Sequence, residues 1–280
     1  MPRVQLLLLL LISCPPALAD EVTVNHGGLI LNGNLVLAKG GGIAEGVILM
    51  LHGTLGHKDM EIMQSMQSVF AENGKNSLAI NLSLDTSNRH GFYPCDQPHA
   101  HKLGDASEEL DVWLAWLVAQ GVGDVVLFGH SRGANQVARY VVNESPLVVA
   151  AILLAPPIAP DPAGAESAGK MASGPIGGWL NDVPFLHCAS ARVSAESYLS
   201  YYASASLSDT PALLQEIDIP VLVFSGSDDG VVAGLVGAMA SVTRSNVRHV
   251  EIDGADHFFR DLYAYDVVEI TLEFLQLNQL

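Results

Sequence analysis

Gly129-His130-Ser131-Arg132-Gly133 is the stretch that decides how this chain reads. It follows the apolar run Val125-Val126-Leu127-Phe128 and precedes Val137, Ala138, Tyr140 and Val141, which suit one buried helical face. A serine at such a strand-to-helix turn is held in a tight backbone geometry with its hydroxyl above the sheet. Glycines on either side let neighbouring backbone pass without a Cβ clash. The helix N-terminus adds partial positive charge where an oxyanion would form. Ser131 is therefore the candidate nucleophile; a plain glycine-rich turn is the alternative for the pattern taken alone.

The surrounding chain alternates strands with helices. Val47–Leu51, Ser77–Asn81, Val148–Leu154, Val221–Phe224 and Arg248–Ile252 read as further strands, and the unbroken apolar run at Val47–Leu51 suits a strand covered on both faces. Ile62, Met63, Met66, Val69 and Phe70 recur at helical spacing, with the methionines as core filler. Leu110, Trp113, Leu114 and Leu117 form another such face, and Val267 to Leu277 reads as a closing helix. Val22 to Ala38 reads as antiparallel strands joined by turns. The pattern predicts an α/β fold, a mostly parallel sheet with helices on both faces. Residues 156–217 interrupt the rhythm and read as an insertion over the sheet, with a helical piece near Ala195 to Ser204; residues 82–104 read as a long polar loop.

A serine hydroxyl is a weak nucleophile and needs a base and an orienting acid. In the chain order Ser, Asp, His, candidates stand at the ends of the last two strands: Ser225-Gly226-Ser227-Asp228-Asp229 and Asp253-Gly254-Ala255-Asp256-His257. His257 is the candidate base. Asp228 and Asp229 compete as the acid. His52-Gly53-Thr54 after the Val47–Leu51 strand supplies a loop for the oxyanion hole, with the backbone N–H groups of Thr54 and Arg132 as donors. His52 reads as orienting that loop, and His130 as packing beneath the serine.

The chain has 280 residues, 49% hydrophobic and 15% charged, with a net charge of -17. That length allows one large domain or two small ones, and the apolar content excludes a disordered chain. So acidic a surface repels phosphate backbones, which argues against a nucleic-acid partner. Arg3, the apolar run Leu6–Ile12 and Ala17-Leu18-Ala19 have the parts of an export signal over residues 1–19, cleaved after Ala19. The run is far short of the roughly 20 residues that span a bilayer. Leu11-Ile12-Ser13-Cys14 also resembles a bacterial lipoprotein signal, so a lipid anchor at Cys14 is the competing reading. Either way the protein is exported, periplasmic or secreted if bacterial. With Cys14 removed, Cys95 and Cys188 remain and are expected to bridge.

These motifs together resemble the α/β-hydrolase superfamily over roughly residues 45 to 280. The resemblance implies a single hydrolase domain over residues 20–280, with a cap at about 156–217. It also implies a serine hydrolase, most readily of carboxylic esters, that needs no cofactor. The family places its acid three residues after the glycine of Gly226-Ser227-Asp228-Asp229, which selects Asp229. Arg89-His90-Gly91 resembles the family's Arg-Gly-His-Gly-type loop without its first glycine. An acyltransferase with the same triad and a non-catalytic binding protein are the alternative functions. His90, Cys95, Asp96, His99 and His101 crowd one loop, but their spacing fits no standard metal site, and none is expected. The insertion is expected to lie over or beside Ser131, where Trp179, Phe185, Leu186, Tyr198, Leu199, Tyr201 and Tyr202 together offer an apolar cover for small to medium esters, the alternative for any single one being to pack the insertion onto the sheet.

Overall fold

The computed structural model describes residues 19–143, 145–158, 164, 166–168, 177–203 and 208–280. The export signal expected at residues 1–19, Cys14 included, lies outside them except for Ala19. Part of the insertion at 156–217 does too.

Eight strands form one sheet: β1 (Asp20–His26), β2 (Leu29–Val36), β3 (Val47–Leu51), β4 (Ser77–Ile80), β5 (Val125–His130), β6 (Val148–Leu154), β9 (Val221–Gly226) and β10 (Val247–Ile252). Their spatial order is β1-β2-β4-β3-β5-β6-β9-β10. β1 and β2 pair antiparallel, β2 meets β4 antiparallel, and every later neighbour is parallel. The helices are α1 (Glu61–Glu72), α2 (Asp105–Ala119), α3 (Arg132–Val141), α4 (Ala195–Tyr202), α5 (Thr210–Leu214), α6 (Leu235–Met239) and α7 (Tyr263–Leu277).

Side chains alternate across a strand, so each central strand feeds two cores. Val47, Leu49 and Leu51 of β3 and Val125 and Leu127 of β5 join α2 and α3 on one face. Ile48, Met50, Val126 and Phe128 join α1 and α7 on the other, where Met63 and Met66 are fully buried filler. Covering both faces is what permits the strands to be continuously apolar. The strand order reverses between β3 and β5, which lie side by side with Leu51 opposite Gly129. In an open α/β sheet this reversal leaves a crevice at the carboxyl ends of the strands.

The insertion contains a second sheet that its glycine-rich sequence did not announce: β7 (Trp179–Phe185) antiparallel to β8 (Cys188–Ser194). A disulfide joins Cys95 to Cys188 across 93 residues, and His99 bridges to Val193 of β8. The polar loop 82–104 is therefore fastened to the hairpin.

Candidate active site

Ser131 occupies the turn between β5 and α3 with φ 54° and ψ -122°. That conformation is disfavoured for any L-residue, at about 1–3 kcal/mol, and persists only because the surroundings over-determine it. The Ser131 N–H is tied to the Leu154 carbonyl at 2.8 Å, and its own carbonyl accepts from Ala134 N–H at 2.9 Å. The two glycines are required by close approach. A Cβ on Gly133 would collide with the Leu51 and His52 carbonyl oxygens, and one on Gly129 with the backbone of Gly133. The start of α3 thus sits directly on the end of β3.

β9 and β10 deliver the other two groups. The Asp228 N–H donates to the Ala255 carbonyl at 3.0 Å, and a Cβ on Gly226 would overlap that carbonyl, so the two post-strand loops are packed together. In this frame His257 Nε2 lies 3.0 Å from Ser131 Oγ and His257 Nδ1 lies 2.8 Å from Asp229 Oδ2. Asp229 Oδ1 accepts from the N–H groups of Val231 and Val232 at 2.7 and 2.9 Å. Burial alone would raise the Asp229 pKa. The His257 contact and the two backbone donors outweigh it and hold the carboxyl below its ordinary value. An ionised Asp229 only accepts, so Nδ1 carries the imidazole proton and Nε2 is left to accept from the Ser131 hydroxyl. The Asp228 side chain is solvent-exposed.

Thr54 follows β3 and Arg132 follows β5, the two strands that lie side by side. Among the described residues neither backbone N–H has a hydrogen-bond partner, and the Arg132 Nε donates to Thr54 Oγ1 at 3.1 Å. His52 fixes the loop between them. The Leu82 N–H and Arg89 Nη2 lie 3.1 and 3.0 Å from its Nε2, so Nε2 accepts and Nδ1–H donates to the Gly53 carbonyl at 2.8 Å. Burial and then the Arg89 charge push the His52 pKa down to about 3, keeping the ring neutral. His130 is also buried and pushed down to about 4, by burial and then by His257; its Nε2–H donates to the His257 carbonyl at 2.9 Å.

A cleft of about 360 Å³ opens over Ser131, lined by Gly53, Thr54, Met60, Phe92, His130, His187, Val231, His257 and Phe258. This corrects the aromatic cap expected from the sequence. Phe185, Tyr198, Tyr201 and Tyr202 are buried in the core of the α2/α3 face, and half-exposed Trp179 stacks on Arg192 beside a separate cleft. From the described part of the insertion only His187, at the β7–β8 turn, reaches the cleft. Phe92 of the loop 82–104 and Phe258 after the base form its apolar walls instead. Neither wall was read from the sequence; the one local hint was Phe258 directly following His257.

Of the crowded loop residues, His90 is exposed beside Glu21, and Cys95 is in the disulfide. His99 and His101 are buried as a pair, Nδ1 to Nε2 at 3.1 Å, with His101 Nδ1 2.9 Å from the Tyr201 hydroxyl. Cys95, His187 and Cys188 bring their donor atoms within 4.8 Å of one another, but both sulfurs are spent in the bridge and offer no thiolate.

The sequence profile of the alpha/beta hydrolase family matches residues 48–268, from β3 into α7. The chain belongs to this family. Its fold is similar to that of Est1E from Butyrivibrio proteoclasticus, with a TM-score of 0.67 at 18% identity over 91% of this chain and 99% of that one. It is similar also to the alpha/beta hydrolase GrgF from Penicillium, at 0.69 and 17% over 92% and 98%. The Pyrococcus furiosus esterase Pf2001 gives 0.60 and 17% over 93% and 90%. At such identities the likeness establishes the fold alone. No curated protein is similar enough in sequence to match the chain. Among the described residues no helix is long and apolar enough to cross a membrane.

Proposed function

We propose that this alpha/beta hydrolase is an exported serine esterase acting through Ser131, His257 and Asp229. The observation that carries the reading is the continuous relay from Ser131 Oγ through His257 to Asp229, at 3.0 and 2.8 Å. Ser131 Oγ attacks the ester carbonyl while His257 Nε2 takes its proton. The N–H groups of Thr54 and Arg132 receive the oxyanion. His257 then protonates the leaving alcohol, and Asp229 stabilises the imidazolium. A water molecule, deprotonated by His257, releases the acid from the acyl-enzyme. Each step uses groups of this chain and water, with a small-molecule ester as the only partner.

Export belongs to the same proposal. β1 begins at Asp20, so cleavage after Ala19 leaves every described element whole. A Cys95–Cys188 bridge suits an oxidising compartment. The test is covalent labelling by a fluorophosphonate together with hydrolysis of 4-nitrophenyl acetate. Wild type should be labelled at Ser131 and turn over. Ser131→Ala should lose labelling and at least ~1000-fold in kcat with an unchanged circular-dichroism spectrum. Hydrolysis that persists in a clean Ser131→Ala preparation would overturn the assignment.

A further inference from the structure

Arg132 contributes more than a backbone N–H. Its Nε is engaged by Thr54 Oγ1 at 3.1 Å, and its guanidinium carbon lies 5.6 Å from the centroid of the Tyr201 ring. Among the described residues its two Nη groups meet no acceptor. The chain has 30 acidic and 13 basic residues, and among the described residues Arg132 shares its lack of a carboxylate with Lys75, Arg139 and Arg192, the last of which stacks on Trp179. Lys58, Lys102, Arg244, Arg248 and Arg260 each meet a carboxylate, and Arg89 is occupied by the Leu82 and Gly91 carbonyls and by His52.

The unpaired cation sits beside the reaction centre. Thr54 and His187 both line the cleft over Ser131. Arg132 bonds the first and lies close enough to the second to help depress its pKa, after burial. Burial also depresses the pKa of Arg132 itself, and the acidic groups that act on it among the described residues are the Tyr201 and Tyr202 phenols, which carry no charge at physiological pH. A half-buried guanidinium with free donors has given up water without a protein acceptor in return. An arriving carboxylate supplies that acceptor in the bidentate geometry which the two Nη groups present.

We propose that Arg132 recognises an anion, and that the substrates of this site are esters carrying a carboxylate a few bonds from the scissile carbonyl. Half-esters of dicarboxylic acids and esters of hydroxy acids are the class. This rests on Ser131 being the nucleophile.

The experiment compares size-matched anionic and neutral esters on the full mature chain by pH-stat. Monomethyl adipate is set against methyl hexanoate, and 3-(butyryloxy)propionate against propyl butyrate. At least one anionic member should exceed its neutral partner in kcat/KM by roughly 10- to 100-fold, the scale of a hydrogen bond to a charged group. Arg132→Gln should collapse that ratio to one or below, whatever happens to the neutral rate, and Arg132→Lys should keep part of it. Glutarate should inhibit neutral-ester hydrolysis by wild type competitively at concentrations where chloride at equal ionic strength does not. That arm stands even where the variants fail to fold. Fluorophosphonate labelling with hydrolysis of neutral esters, but with both ratios at or below one and no inhibition by glutarate, would overturn the anion proposal and leave the esterase reading standing. No labelling and no hydrolysis of any of the four esters would overturn both.

Discussion

Asp229→Asn is a one-atom change whose consequence can be worked through the hydrogen bonds of the site. Oδ1 receives two N–H groups, from Val231 at 2.7 Å and Val232 at 2.9 Å, while Oδ2 faces His257 Nδ1 at 2.8 Å. In the asparagine the carbonyl must keep the Oδ1 position. Placing the amide NH2 there would oppose two donors with a third and leave both backbone groups unsatisfied, at about 1–3 kcal/mol each. The NH2 therefore faces His257 Nδ1, which can then only accept. The imidazole proton moves to Nε2, and Ser131 Oγ meets a donor where it needs an acceptor. The geometry survives and the tautomer is wrong. In serine triads that error costs about 10⁴ in kcat, or about 5.5 kcal/mol at ~1.36 kcal/mol per decade.

Asp228→Asn is the control. Its side chain is exposed, and its structural contribution is the backbone N–H bond to Ala255 at 3.0 Å, which the substitution keeps. Its kcat should stay within a few-fold of wild type. The assay is kcat on 4-nitrophenyl acetate, paired with the second-order rate of fluorophosphonate labelling and with circular dichroism to show a retained fold. More than a tenth of wild-type kcat in Asp229→Asn, or a greater loss in Asp228→Asn, would refute the tautomer argument and move the acid to its neighbour.

Three further outcomes follow from the geometry. Phe92→Ala and Phe258→Ala should raise KM for 4-nitrophenyl hexanoate by about 10-fold, the value of an aromatic face that the bound acyl chain covers, while Trp179→Ala leaves it unchanged; an equal effect at Trp179 would return the wall to the insertion. Replacing both Cys95 and Cys188 with serine should lower the unfolding free energy by roughly 3–5 kcal/mol through the loop of 93 residues that the bridge closes, and an unchanged urea midpoint would show the bond absent in solution. Stability should fall on acidification below about pH 6.5, since His52 and His101 are held at about 3 and His130 at about 4 by burial first of all. The unfolded chain takes up protons that the native state refuses, so the stability present above 6.5 is lost as pH falls towards these values, by about 1.4 kcal/mol per pH unit for each ring. Glu109, raised to about 7 by burial, offsets one of the three between its ordinary 4.5 and 7; urea midpoints that do not move between pH 7 and 5 would refute this balance.

The alternation of strands and helices was legible because each central strand is covered on both faces and so reads as an unbroken apolar run. The β7–β8 hairpin was not legible, for a local reason. Its register shifts between Leu180 and Val183 and again between Val183 and Phe185, and Asp182 takes a positive φ of 56°. Pro184 interrupts it as well. A strand of this kind has no period of two for a sequence reading to find. The cost of missing it was functional. The turn at Leu186-His187 is what brings His187 to the cleft, while Phe185, Tyr198, Tyr201 and Tyr202 form core and Trp179 lies beside a separate cleft.

Phe92 was hidden for a different reason. What sets its position is mostly long-range: the Tyr93 N–H donates to the Leu55 carbonyl at 2.9 Å, Arg89 reaches His52, and the disulfide anchors Cys95. The bridge was expected from the cysteine count, but nothing local points Phe92 at the cleft. The candidate triad, by contrast, stands at strand ends, where a sequence reading can look for it. His52, His130 and His257 all lie at carboxyl ends of strands and all are buried, so residue type and burial do not distinguish a base among them. Their partners do. His52 is held neutral between two donors and a carbonyl, and His130 gives its one proton to the His257 carbonyl. Only His257 stands between an ionised carboxylate and a hydroxyl, which leaves its second nitrogen free to accept a proton. The chain order Ser, Asp, His points to that ring because β9 and β10 pack their post-strand loops against each other, and a histidine in the loop after the last strand is the one that an aspartate after the preceding strand can reach.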